Sequence, residues 1–280
     1  MRRRAFGSTG FQVPVIGQGT WGLDQGDRAQ VVAALRRGLD LGMTHIDTAE
    51  MYGEGTVEEI VGEAIAGRRD EVFLVSKVLP ENASRRRTIA SCEKSLARLR
   101  TDRLDCYLLH WRESEPLEET FEAFEGLVAA GKIRCWGVSN FDENDLADAW
   151  PLRAAGGPVC NQVLYHLKER AIEHAVLPWC ERHELALVGY SPFGHGRFPS
   201  PTRDGGRALA AVAARHHATP RQVALAFLAR AGPLFTIPKA GTVAHAEENA
   251  GALGLSLSAD DVAEIDAAFP VRAGSELPTI

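Results

Sequence analysis

The stretch that decides the fold is Val72-Phe73-Leu74-Val75-Ser76-Lys77, followed by a run over Arg85–Leu99 and then Asp105-Cys106-Tyr107-Leu108-Leu109-His110. The two outer runs are short and mostly apolar up to their last position, as strands buried on both faces are. The middle run brings Ile89, Leu96 and Leu99 to one side at helical spacing, the pattern of a helix packed on one face. Parallel neighbours cannot be joined by a tight turn, so strand, crossover helix and strand form the expected unit.

Working outward, the same unit repeats. Strand-like runs fall at 14–17, 45–48, 72–77, 105–110, 133–140, 160–163, 186–191 and 234–239, and helical stretches at 27–41, 57–66, 85–99, 118–130, 172–183 and near 260–269. Eight such units in a chain of 280 residues predict an α/β fold: one (β/α)8 TIM barrel domain over residues 1–280, with a short N-terminal β-hairpin and a short C-terminal tail. The rival is a doubly wound open sheet, which would carry a glycine-rich turn straight after its first strand. Gly17-Gln18-Gly19-Thr20-Trp21-Gly22 approximates that spacing, but the next helix starts only near Asp27 and no acidic residue stands at the expected ribose position.

Composition narrows the classes of function. With 45% hydrophobic and 24% charged residues the chain is globular rather than disordered or fibrous. Its net charge of -6 gives no overall cationic field for a nucleic acid, and the basic start Met1-Arg2-Arg3-Arg4 lacks the apolar run of a signal peptide or membrane span. Cys92, Cys106, Cys135, Cys160 and Cys180 are scattered and odd in number, which fits reduced thiols in a cytoplasmic protein. No dimer seam is legible, so a monomer is expected.

Polar groups collect at the ends of the strands: Asp47, Lys77, His110, Ser139-Asn140, Gln162, Tyr190-Ser191 and Lys239. In a barrel these ends converge on the mouth where active sites are built. Two-residue alternation puts Phe73, Val75 and Lys77 on one face and Cys106, Leu108 and His110 on another, so Lys77 and His110 can share that mouth. Tyr52 follows Asp47 in the loop on the same side. A tyrosine is a poor acid–base group at neutral pH unless a cation stabilises its phenolate. An adjacent Lys77 is expected to lower the Tyr52 pKa, with Asp47 fixing the lysine. A buried Asp47–Lys77 pair or a hydrogen-bonded core histidine would be the structural alternatives.

These residues resemble the aldo-keto reductase superfamily. The likeness runs from Gly17-Gln18-Gly19-Thr20-Trp21 through the segment 42–53, Val75-Ser76-Lys77, Leu108-Leu109-His110-Trp111, Gly137-Val138-Ser139-Asn140-Phe141, the segment 161–166, Tyr190-Ser191-Pro192-Phe193-Gly194 and Ile237-Pro238-Lys239 to Glu248-Asn249. It implies a catalytic tetrad of Asp47, Tyr52, Lys77 and His110, with Tyr52 as proton donor to a carbonyl that accepts hydride from a nicotinamide. It further implies Ser139, Asn140 and Gln162 at the carboxamide, Tyr190 stacked on the nicotinamide, and Ser191, Pro192, Phe193 and Gly194 along the pyrophosphate. Gly19, Thr20 and Trp21 would complete the cofactor cleft beside Asp47, and Trp21 and Trp111 would join Tyr52 and His110 around a small-molecule carbonyl substrate.

At the adenosine end the resemblance implies Lys239 and Thr242 for a 2'-phosphate and Glu248 and Asn249 for adenine. Ala240 stands where the family pattern has serine, and His245 where it has arginine. A histidine is largely neutral at pH 7 and lacks the guanidinium fork. NADPH is the expected cofactor through Lys239, with NADH use left open. Within the superfamily, His110-Trp111, Cys135-Trp136-Gly137, Leu177-Pro178-Trp179-Cys180 and Ile237-Pro238-Lys239-Ala240 are similar to bacterial reductases of the methylglyoxal-reductase type. Two other readings stand beside it: a cofactor-binding regulatory subunit with little turnover, and a metal-dependent barrel hydrolase using His45, Asp47 and His110, with His166 at another strand end. The second leaves Tyr52 and Lys77 without a role, and metal-free is the expectation.

Overall fold

A computed structural model describes residues 2–153, 156–230, 232–271 and 277–279. The chain starts with an antiparallel hairpin, β1 (Arg3–Ala5) and β2 (Gln12–Pro14). Eight parallel strands follow: β3 (Gln18–Gly19), β4 (His45–Asp47), β5 (Phe73–Val78), β6 (Leu104–Leu109), β7 (Ile133–Ser139), β8 (Cys160–Leu164), β9 (Ala186–Tyr190) and β10 (Leu234–Ile237). Each pairs with its sequence neighbour, and parallel bridges Ile16↔Thr236, just before β3, and Gly19↔Lys239, just past β10, close the seam between the two ends of the sheet. The sheet therefore closes on itself, which removes both edges and yields the expected barrel.

Among the described residues ten α-helices wrap or cap it: α1 (Arg28–Asp40), α2 (Thr56–Ala64), α3 (Arg85–Leu99), α4 (Leu117–Ala129), α5 (Glu143–Ala149), α6 (Val176–Arg182), α7 (Asp204–Arg215), α8 (Pro220–Leu228), α9 (Val243–Gly251) and α10 (Ala259–Ala268). Several starts are written in the sequence. Asp27 accepts from the Gln30 amide, and reciprocal capping boxes join Asp142 to Asp145, Thr219 to Gln222 and Ser258 to Asp261.

Two boundaries differ from the sequence expectation. The run 14–17 is not the first barrel strand: Pro14 ends the hairpin, while residues 15–17 reach across to the last strand through Thr236 N–H to Val15 O and Gly17 N–H to Thr236 O. The hairpin turn in this way sends Phe6 into the barrel, against His45, Phe73 and Phe235. The stretch 172–183 is also not one helix. A 3-10 turn (Ala171–Glu173) precedes α6, which starts only two residues before Pro178, because proline is tolerated in a first turn but not further in. The tail past Phe269 lies partly outside the described residues, but Thr279 is described and borders the cleft.

Alternation along the strands sorts the core into two layers. Val75, Cys106, Leu108, Cys135, Cys160, Val188 and Phe235 fill the barrel, while Leu74, Tyr107, Leu109, Trp136, Val163 and Leu187 pack under the helices. The inner row continues upward into Lys77 on β5 and His110 just past β6. Apolar layers below thus fix the height at which those polar groups emerge.

Candidate active site

At the C-terminal ends of the strands lies a cleft of about 1070 Å³. Tyr52, His110, Trp111, Trp21, Ser191, Phe193, Lys239 and His245 all border it. Asp47 ends β4, and Tyr52 sits in the irregular turn that follows, where Gly53 and Glu54 both adopt left-handed conformations. Lys77 comes from β5 with no exposed surface.

The four groups expected to work together are brought together. Lys77 Nζ donates to Asp47 Oδ1 at 2.6 Å, to the Thr48 carbonyl at 2.9 Å and to the Tyr52 hydroxyl at 3.2 Å. Its three N–H groups are thereby satisfied, which a buried ammonium requires. The Tyr52 and His110 rings meet edge to face at 5.9 Å. Two supports were not foreseen. Gln162 Nε2 donates to Asp47 Oδ2 at 2.7 Å, and Thr20 Oγ1 donates to the Asp47 carbonyl at 2.8 Å.

The electrostatics correct one expectation. Burial pushes the Tyr52 phenol above its ordinary value of 10.0; the Lys77 charge pulls it back, but not enough to reverse the shift. Tyr52 is thus a protonated phenol at neutral pH, and its pKa is raised where a lowered one was expected. Burial alone would lower the Lys77 ammonium, yet Asp47 and Tyr52 hold it above its usual range. Burial, aided by Lys77, drives His110 well below 6.5, so its imidazole is neutral.

Ser139, Asn140, Gln162 and Tyr190 line the cleft next to this group. Ser139 Oγ donates to the Gln162 carbonyl, Asn140 Nδ2 donates to the His110 carbonyl, and the Tyr190 hydroxyl donates to Asn140 Oδ1 at 3.0 Å. Asn140 adopts φ 59°, a left-handed conformation that costs a non-glycine residue free energy and marks a position fixed by its surroundings. Further along, Ser191, Gly194, His195 and Gly196 all have positive φ. Gly194 N–H donates to the Ser191 carbonyl and Arg197 N–H to the Gly194 carbonyl, so the segment folds into tight turns at the edge of the cleft. His195 meets Trp21 edge to face at 4.6 Å across the cleft.

The adenosine-end residues divide. Lys239 and His245 line the cleft, and no hydrogen bond or ion pair holds the Lys239 ammonium among the described residues. Ala240 is buried in the inner core. The Thr242 hydroxyl accepts from the His245 N–H as the cap of α9, Glu248 Oε1 accepts from the Thr219 hydroxyl, and Asn249 Nδ2 donates to the Lys239 carbonyl at 3.5 Å. Met51, Arg112, Glu113, Asp145, His195, Gly196, Arg221, Ile237 and Thr279 also border the cleft and went unnoticed in the sequence. Ile237 ends β10, while Asp145 and Arg221 lie in the first turns of α5 and α8 and the others on loops, where no periodicity marks a side chain as facing the cleft.

A cleft of this volume, with Asn140 and Gln162 in its wall and a Lys239 ammonium unpaired among the described residues, fits a phosphate-bearing dinucleotide. The hydrolase reading finds no such support. His45 packs between Phe6 and Phe73 inside the barrel, and among the described residues no three His, Cys, Asp or Glu side chains are grouped to hold a metal.

A family model described as "Aldo/keto reductase family" matches residues 15–269. The chain belongs to the aldo/keto reductase family. It is 46% identical over 268 residues to methylglyoxal reductase YeaE of Escherichia coli (strain K12), covering 94% of this chain and 93% of that one. Among solved structures it is similar to an aldo/keto reductase from Klebsiella pneumoniae in complex with NADP and acetate, with TM-score 0.92, 45% identity and 98% of each chain covered. A Klebsiella pneumoniae aldo-keto reductase in complex with NADPH matches with TM-score 0.93 and 44% identity over 100% of both chains. The chain is an NADPH-dependent aldo-keto reductase that acts on carbonyl groups.

Proposed function

We propose that this aldo-keto reductase reduces small 2-oxoaldehydes of the methylglyoxal type, with Tyr52 as the proton donor. The observation that carries the reading is the buried relay Asp47–Lys77–Tyr52, whose last member opens on the cleft beside a neutral His110. The likeness to a methylglyoxal reductase over nearly the whole chain supports the substrate class.

Bound NADPH would supply a hydride to the carbonyl carbon, held by Ser139, Asn140, Gln162, Tyr190 and Lys239. The rest falls to the protein. His110, kept neutral by burial, offers a ring N–H to the carbonyl oxygen and fixes the substrate's approach. Tyr52 gives that oxygen its proton. Lys77 remains charged throughout and stabilises the phenolate left behind, while Asp47, held by Gln162, keeps the lysine in place. Trp21, Trp111 and Met51 give the substrate apolar walls, and with Trp21 46% exposed the pocket stays open to solvent.

All five cysteines are buried free thiols, which suits a bacterial cytoplasm. Among the described residues the exposed large apolar ones are Trp21, Met51, Ile89, Leu152 and Val243, of which the first two border the cleft, and a monomer is the proposed working state. The experiment is oxidation of NADPH and, separately, NADH with methylglyoxal or an aromatic aldehyde. Faster turnover of methylglyoxal at equal concentration is expected. Cofactor binding with no turnover of either aldehyde would favour the regulatory alternative instead.

A further inference from the structure

Arg221 is the second residue of α8, and its guanidinium carbon lies 4.9 Å from the centre of the Phe193 ring and 5.1 Å from that of Phe198. Those rings meet edge to face at 5.7 Å, so the guanidinium rests on an aromatic ledge. Arg207, Arg215 and Arg230 on neighbouring segments each find a carboxylate. Among the described residues neither a hydrogen bond nor an ion pair reaches the Arg221 guanidinium. A cation in the first turn of a helix also opposes the helix dipole, so local electrostatics give no reason for its position.

Its surroundings give one. The residues flanking Arg221 tie α8 to the segment expected at adenosine: Thr219 Oγ1 donates to Glu248 Oε1 at 2.9 Å, and Gln222 Nε2 donates to the Glu248 carbonyl at 3.0 Å. Asn249 next to it reaches the Lys239 carbonyl. Arg221, Phe193, Lys239 and His245 all border the same cleft. We propose that Arg221, seated on Phe193 and Phe198, is a specificity residue that reads the 2'-phosphate of NADPH and supplies the guanidinium that position 245 does not. The inference rests on the assignment of NADPH to this cleft. A guanidinium fork matches a phosphate bidentately and stays charged at every working pH, which a histidine does not. Lys239 then adds a second charge.

The test is equilibrium binding of NADPH and NADH, read by quenching of tryptophan fluorescence, to the wild-type protein, Arg221→Ala and Arg221→Lys. Loss of one charge-assisted hydrogen-bonding partner should lower the preference for NADPH over NADH about tenfold in Arg221→Ala, and Arg221→Lys should keep part of it. A preference within about twofold of wild type in Arg221→Ala, or equal weakening of both cofactors, would overturn the inference while leaving the cofactor assignment intact. Wild-type protein that binds neither nucleotide would overturn that assignment and this inference with it. Arg221→Gln repeats the measurement with a side chain of similar length, and 2',5'-ADP against 5'-ADP repeats it without the nicotinamide.

Discussion

Gln162 Nε2 donates to Asp47 Oδ2 at 2.7 Å, joining β8 to β4 across the barrel mouth. The residue expected to hold the nicotinamide amide thus also holds the carboxylate that fixes Lys77. Cofactor seat and proton relay share one hydrogen bond.

Replacing Gln162 by Leu should therefore act twice. It leaves a buried carboxylate oxygen without its donor, which costs about 1–3 kcal/mol, and it loosens the cofactor. Urea unfolding and NADPH titration on the variant check this. Unchanged stability would mean that Asp47 finds a replacement donor.

The pH dependence follows from the two shifted groups. Tyr52 must be protonated to donate, and its pKa is raised above 10.0; activity in the reducing direction is present below that pKa and lost only as pH rises through it. His110 is lowered well below 6.5, so its neutral form persists into mild acid. The specificity constant kcat/KM for carbonyl reduction should be flat from about pH 7 to about pH 9, while alcohol oxidation, which needs the phenolate, climbs with pH. A reduction limb falling near neutral pH would contradict both assignments.

His45 predicts an acid weakness in the fold itself. Burial lowers its pKa from 6.5 to about 4, so the folded protein keeps it neutral while the unfolded chain takes up a proton first. Its share of stability is complete above pH 6.5 and is lost as pH falls from there towards 4, about 3 kcal/mol over the interval. Urea midpoints of wild type and His45→Leu at pH 7.5 and 4.5 isolate this share. Equal acid losses in the two proteins would show that His45 does not titrate on unfolding.

Barrel closure has its own weak point. At Gly19 a Cβ would stand 2.5 Å from the Ile237 carbonyl oxygen, a backbone atom that cannot swing aside. Gly19→Ala should cost about 1–3 kcal/mol by overpacking, opening the seam between β3 and β10. Thermal unfolding checks it, and a variant as stable as wild type would mean the seam yields freely.

The barrel was legible because its strands are apolar until they end, and alternation then placed Lys77 and His110 on one side. The relay was legible too, since an aspartate, a lysine and a tyrosine near strand ends have few other ways to be satisfied. The direction of the Tyr52 shift was not. It is a balance between burial and one cation, and burial depends on how the loop after β4 folds over the phenol. Pro14 misled for a related reason, because the same apolar residues can pair in a hairpin or across a barrel seam. Arg221 and His195 gave no signal at all, as neither lies on a strand and only the closed barrel brings the start of α8 and the loop after β9 to the cleft.

The proposed reduction turns on Tyr52 as the proton donor. The most direct test compares wild type with Tyr52→Phe for NADPH oxidation with methylglyoxal, with NADPH affinity measured on both proteins. With Tyr52 as donor, kcat should fall about 10²–10⁴-fold in Tyr52→Phe with NADPH still bound; a Tyr52→Phe protein that turns over at the wild-type rate would contradict that role.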